Sequence, residues 1–116
     1  MSGRDLPTGE ERLADELFWG LIEELREGDP RVREGTIMGR ECARVDDEFL
    51  ALVGFKGAGL VVKLPRERVS ELIAEGAGEP FAPAGRVFAE WVMVRRRDRD
   101  RWRALLHEAV AFVGGR

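Results

Sequence analysis

The sequence contains no tyrosine, asparagine or glutamine, and it has a single histidine, a single cysteine and only Lys56 and Lys63 as lysines. One cysteine excludes an internal disulfide, and one imidazole excludes a metal site built on several histidines. Without asparagine or glutamine the chain lacks the side chains that read adenine through two hydrogen bonds. These gaps argue against a disulfide scaffold, a histidine-based metal enzyme and a sequence-specific DNA reader.

Long hydrophobic runs are also missing. No segment approaches the ~20 apolar residues that a membrane span requires, and the polar N-terminal residues predict no secretion signal. At 116 residues and 44% hydrophobic content, the chain can bury one modest core. We therefore expect one domain over residues 1–116, a cytoplasmic location, no membrane association and no cofactor.

Hydrophobic spacing predicts helices at both ends of the chain and one between them. The first covers about residues 9 to 27, behind a capping box formed by Thr8 and Glu11, and carries an acidic outer face. The second begins near Pro65 and ends at Gly76. The third follows Asp98 as its N-cap, and its apolar stripe contains Trp102, Leu105, Leu106, Ala109, Val110 and Val113.

The segment from 35 to 64 reads as an antiparallel meander, with a bulge or break at Gly39 and turns at 46–48 and 56–59. In strand 49–55, strict alternation places Phe49, Ala51, Val53 and Phe55 opposite Leu50 and Leu52. A further strand is expected at 86–94. The predicted class is α+β: two layers, an antiparallel sheet of about five strands and three helices, ordered α, three or four strands, α, one strand, α. We expect Trp91 and Trp102 to pack the sheet against the last helix.

Several local patterns resemble one family. They are Met38-Gly39 before the meander, LVVKLP at 60–65, GEPFAPAGR at 78–86, EWV at 90–92 and the closing tryptophan-led helix. Together they resemble the N-terminal domain of the TfoX/Sxy competence regulators and the related YjbR-like proteins, over about residues 10–113. The resemblance implies a fold like that of secretion chaperones, in proteins loosely linked to DNA-related regulation and mostly without a defined activity.

The inventory of catalytic groups is small. The hydroxyls are Ser2, Thr8, Thr36 and Ser70, none in the setting of an activated nucleophile, and His107 lies off the apolar stripe of the last helix, where we expect solvent. Cys42 stands between Arg40 and Arg44, whose charges favour a reactive thiolate, whereas a lone cysteine more often behaves as a small buried hydrophobe. We therefore predict that the chain is not an enzyme.

Two other clusters have a functional and a structural interpretation. Asp46, Asp47 and Glu48 could gather a hard cation, but no EF-hand spacing follows, and a polar turn explains them. The glycines of GFKGAG, at 54–59, suggest a phosphate loop, but no GK[ST] follows and the next segment reads as a strand. A hairpin turn explains this motif better. No metal site is predicted.

The segment RRRDRDRWR, at 95–103, is the most unusual local feature, because its cations oppose the positive end of a helix dipole. Two interpretations stay open: ion pairs with the acidic first helix or a solvated face, and an anion or nucleic-acid backbone site. The candidate binding residues are Arg95, Arg96, Arg97, Arg99, Arg101 and Arg103. Any DNA binding through them would be weak and largely nonspecific.

Apolar residues on both sides of the predicted strands leave one sheet face to be covered. Either the first helix and the 76–85 connector cover it, or a second copy does, and we expect a two-fold homodimer. The function predicted is a small non-enzymatic interaction or assembly module with a protein partner; the alternative is the weak nucleic-acid or anion binder. The candidate interface residues are Leu50, Leu52, Phe88, Val92 and Val94.

Overall fold

A computed structural model describes residues 9–115 of the chain. Its helices and strands run α1 (Gly9–Gly28), β1 (Val32–Ile37), β2 (Arg40–Val45), β3 (Glu48–Val53), β4 (Leu60–Lys63), α2 (Arg66–Ala74), β5 (Glu79–Pro80), β6 (Trp91–Val94) and α3 (Arg99–Gly114). The strands form one antiparallel sheet in the order β1-β2-β3-β4-β6-β5. The α+β class is confirmed, with a sixth, two-residue strand beyond the five expected. The predicted capping residue Thr8 lies outside the described residues.

Capping residues mark the ends of the second and third helices. Asp98 caps α3 by accepting a hydrogen bond from the backbone N–H of Arg101 at 3.1 Å, as predicted. Pro65 precedes α2, and Gly76 follows it with a φ of 79°, a conformation that favours glycine. All three helices pack on one face of the sheet, which we call the helix face, around Phe18, Leu72, Trp102 and the strand residues directed toward them.

The meander contains a hairpin turn where we predicted a bulge or break within one strand. Met38 and Gly39 join β1 to β2 with φ values of 53° and 74°, the left-handed pair that a tight two-residue hairpin requires. Because the turn reverses the chain and pairs Ile37 with Arg40, Ile37 lies on the side opposite Ala43 and Val45, whereas alternation along one unbroken strand would place the three residues on the same side.

The bulge lies instead between β2 and β3. Arg44 pairs with Phe49, and the next residue of β2, Ala43, pairs with Ala51, so Leu50 is an extra residue in β3. Leu50 and Ala51 therefore both pack on the helix face, and Phe49 and Leu52 pack on the other face. The predicted alternation was wrong at this point because one inserted residue reverses the face of every residue after it.

The face opposite the helices, which we call the open face, is covered in part by residues 81–90, the connector between β5 and β6. Phe81 is buried there, and Phe88 and Trp91 pack beside it. The predicted strand 86–94 is real only from Trp91 onward. Residues 86–90 form a loop, in which the N–H of Phe88 donates to the Phe81 carbonyl at 3.0 Å.

The two tryptophans consequently lie on opposite faces. Trp102 is fully buried against the helix face, but Trp91 belongs to the aromatic cluster of the open face. The expectation that Trp91 packs the sheet against α3 was wrong, because alternation along β6 directs Trp91 and Met93 away from the helices.

Candidate functional site

The predicted arginine segment runs from the end of β6 into the first turns of α3. Its backbone is fixed by the Asp98 cap and by the Trp102 indole, whose Nε1 donates to the Arg96 carbonyl at 2.9 Å. A cleft of about 420 Å³ lies beside it, lined by Arg95, Arg96 and Arg101 but also by carboxylates, among them Glu75. The segment is therefore ordered, and its surroundings are mixed in charge.

Five of the six arginines pair with acidic side chains that are distant in sequence. The pairs are Arg95 with Glu79 at 2.7 Å, Arg97 with Glu10, Arg99 with Glu24 at 3.6 Å, Arg101 with Glu75 at 3.9 Å, and Arg103 with Glu24. Three of the pairs join α3, or the residues just before it, to the acidic helix α1. These contacts match the interpretation as ion pairs and leave less free positive charge for an anion than the sequence suggests.

The candidate interface residues do not form one surface. Leu50, Leu52 and Val92 are fully buried within the single chain, and Val94 is 2% exposed. Leu50, Val92 and Val94 lie under the helices, whereas Leu52 lies under the connector on the open face. Phe88 is half-buried beside it. The four buried side chains offer no area to a partner, because the helices and the connector of the same chain already cover them.

Cys42 is buried on the open face. Burial raises the pKa of its thiol more than the charge and hydrogen bond of Arg44 lower it. A thiol that keeps its proton is a poor nucleophile, so its environment is that of a small buried hydrophobe.

The remaining candidates lie in turns or on an outer surface. His107 is exposed on α3, as predicted. Asp46, with a φ of 54°, starts the β2–β3 turn, and the glycine-bearing segment after β3 joins it to the antiparallel strand β4. Within residues 9–115, no three metal-ligating side chains come together. Both motifs therefore serve as connections between strands.

Five aromatic rings form a cluster on the open face, which the sequence did not indicate as a unit. Trp91 stacks on Phe49 with ring centroids 4.1 Å apart and on Phe81 at 5.4 Å, and it meets the edge of Phe88 at 5.0 Å. Phe55 contacts Phe81 edge-on at 5.1 Å. Phe55, Phe88 and Trp91 are half-buried, so the cluster is a second core that also leaves some apolar surface exposed.

Positive side chains surround this aromatic cluster. The Arg40 guanidinium lies 5.0 Å from the centre of the Phe55 ring, and the Lys56 ammonium lies 5.5 Å from it. Lys63 pairs across the sheet with Trp91, and Arg44 follows Cys42 at the spacing that keeps both on one face. Alternation within RECARV groups Arg40 with Arg44, but only the folded sheet adds the lysines and the rings.

Comparison with protein-family models, curated proteins and solved structures found no match to this chain. The resemblance to the TfoX/Sxy N-terminal domain thus stays a prediction. Among the described residues, no helix is both long and apolar enough to cross a lipid bilayer.

Proposed function

We propose that this protein is a small interaction module without catalytic activity of its own, acting in the cytoplasm, and that it binds a protein partner on the open face. The regulatory link implied by the family resemblance belongs to the same proposal. The observation that supports it is the aromatic cluster, in which Phe55, Phe88 and Trp91 are only partly buried, on the face opposite the larger core under the helices.

The margins of the open face carry further apolar surface. Val87, in the connector, is 60% exposed, and Met38, in the β1–β2 turn, is 49% exposed. Met38 also holds a left-handed backbone conformation that costs a side-chain-bearing residue roughly 1 kcal/mol. Exposed apolar residues grouped near a half-covered sheet face are typical of a contact surface.

Site-specific photo-crosslinking in the cells that make the protein tests the proposal. A photoreactive phenylalanine derivative at position 87 should give discrete adducts, because Val87 lies at the edge of the proposed surface. The matched control is the same derivative at position 107, where the exposed His107 lies on α3. Equal adducts at both positions, or none at position 87, would refute an interaction specific to the open face.

A second copy of the chain is one partner that this experiment would detect, as an adduct of twice the chain mass. The homodimer predicted from the sequence has its own test. Light scattering at micromolar concentration gives a mass near 13.0 kDa for a monomer and about twice that value for a two-fold dimer.

The alternative function, weak binding of nucleic acid through the arginine segment, has one supporting observation. Arg96 lines the cleft at the start of α3, and none of the ion pairs formed among residues 9–115 includes it. Replacing Arg95, Arg96 and Arg97 with glutamate should abolish any retention on DNA at low salt. Retention that persists in this variant would exclude these residues as the binding site.

A further inference from the structure

We propose that the open face binds an acidic, partly apolar segment of a partner protein, whose carboxylates pair with Arg40, Arg44, Lys56 and Lys63 around the aromatic cluster. This inference rests on the proposed function and adds the chemistry of the partner. It starts from the distribution of charge over the two faces of the sheet.

The first four strands sort their charged residues by sign. On the helix face, Glu34 and Glu48 lie opposite the core residues Ala43 and Val45. Glu41 lines a cleft together with Asp15 of α1, and Arg40, at the end of β2, lines the same cleft. The charged residues directed to the open face are all basic: Arg33, Arg40, Arg44 and Lys63. The open face of these four strands thus carries only basic charged residues, although the chain has a net charge of −3.

The two central arginines are held in place without being neutralised. The Arg40 guanidinium donates to the Gly54 carbonyl at 3.0 Å, and the Arg44 guanidinium donates to the carbonyls of Thr36 and Asp47, each at 2.6 Å. A carbonyl oxygen orients a guanidinium but does not cancel its charge. None of the ion pairs formed among residues 9–115 includes Arg40, Arg44 or Lys56.

Two acidic groups at the margins of this face already have partners. Asp47 pairs with Arg33 at 2.6 Å, and Glu79 pairs with Arg95 at 2.7 Å. The oriented arginines therefore favour carboxylates supplied by another molecule, which can pair with guanidinium groups through charge-assisted hydrogen bonds. Because partly buried aromatic rings lie beside these cations, a partner segment with apolar side chains as well as carboxylates fits the surface.

A protein segment fits this surface better than a single-stranded nucleic acid does. Binding of nucleic acid to a sheet uses aromatic rings with a free face on which bases stack. Trp91 has one stacked neighbour in Phe49 and another in Phe81, and Phe55 has Arg40 and Lys56 over its ring. These rings offer edges and partial surfaces, which suit aliphatic side chains.

A second copy bound through the same face fits less well. A two-fold axis would bring like parts of the surface together, so the cations of one copy would approach those of the other. Like charges brought together at an interface disfavour association. An acidic partner turns the same charges into a favourable contribution.

Fluorescence anisotropy with two labelled peptides tests the inference. In one peptide glutamate and leucine alternate, and in the other lysine replaces glutamate. The double variant Lys56→Gln, Lys63→Gln removes two cations whose ammonium groups form no hydrogen bond to another residue between 9 and 115, and thermal denaturation checks that it folds. The matched control is Arg99→Gln, Arg103→Gln, which removes the same charge from the helix side of the molecule.

We expect the glutamate peptide to bind and the lysine peptide not to bind. The lysine double variant should bind the glutamate peptide about five- to tenfold more weakly, and the arginine control should stay within about twofold of the original protein. Equal binding of both peptides, no binding of either, or no effect of the lysine replacements overturns the inference. So does a labelled oligothymidylate that binds more tightly than the glutamate peptide and displaces it. Adducts at position 87 would still support the proposed function in these cases.

Discussion

Glu24 is the carboxylate whose loss would most increase the free positive charge of the arginine segment. It accepts a hydrogen bond from the Arg103 guanidinium and lies 3.6 Å from that of Arg99. Glu24→Gln keeps the shape of the side chain and leaves both arginines without this negative partner. Because both arginines are more than half exposed, the loss of two screened ion pairs should cost about 1 kcal/mol of stability or less.

The variant should gain affinity for DNA in a salt-dependent way. Each phosphate contact adds about 0.9 to the slope of log affinity against log salt, so two freed arginines add up to about 1.8. Between about 50 and 200 mM salt, that difference becomes an additional loss of affinity of roughly tenfold. Anisotropy of a labelled duplex over this salt range measures both slopes.

Glu16→Gln is the matched control, because Glu16 is exposed on the same helix and its replacement changes the net charge equally. If the ion pairs restrain the segment, only Glu24→Gln steepens the slope. Equal slopes for the two variants would show that general charge decides DNA binding. If the unaltered protein shows a slope as steep as that of Glu24→Gln, the ion pairs of Glu24 do not keep Arg99 and Arg103 from contacting DNA.

Three further predictions concern stability and reactivity. Trp102→Ala should lower the free energy of unfolding by about 3–5 kcal/mol, and Trp91→Ala by less, because only Trp102 is fully buried; urea denaturation giving the reverse order would contradict the assignment of faces. Cys42 should resist alkylation in the native protein, and rapid labelling of the native protein would contradict its burial. Because burial raises the pKa of the Cys42 thiol, the free energy of unfolding should fall as the pH rises above the pKa of the thiol in the unfolded chain. Met38→Asn should raise the free energy of unfolding by about 0.5–1 kcal/mol, since asparagine before glycine suits a left-handed turn, and an unchanged denaturation midpoint would argue against strain there.

Local rules were sufficient to predict the helices. The stripe on α3 and its Asp98 cap depend on residues within a few turns of one another, and both are confirmed. The first helix was predicted to within one residue of its observed end at Gly28. Hydrophobic spacing also predicted the α+β class, because an amphipathic helix shows one apolar stripe along its sequence and can be told apart from the strands on that pattern alone.

The faces of the strands could not be predicted as well. Alternation gives the correct face only if no residue is inserted, and Leu50 is inserted in β3 through its pairing with β2. Nothing local to Leu50 marks that event, because neighbouring positions are apolar on both sides. The connector between β5 and β6 could not be predicted for the same reason. The residues next to Phe88 in the sequence favour a strand, but its position is set by Phe81, with which it forms a backbone hydrogen bond and a ring contact.

The distribution of uncompensated positive charge was even harder to predict from local sequence. The arginine run at 95–103 is conspicuous in the sequence, but the acids that neutralise it in part lie far along the chain: Arg97 pairs with a residue 87 positions away and Arg103 with one 79 positions away. The sequence marked Arg40 and Arg44 only as the neighbours of Cys42, but within residues 9–115 no ion pair compensates their charge, because backbone carbonyls hold them. Since a carbonyl orients a guanidinium without cancelling its charge, the positive surface of this protein is set by what each arginine contacts. The number of neighbouring arginines does not determine it.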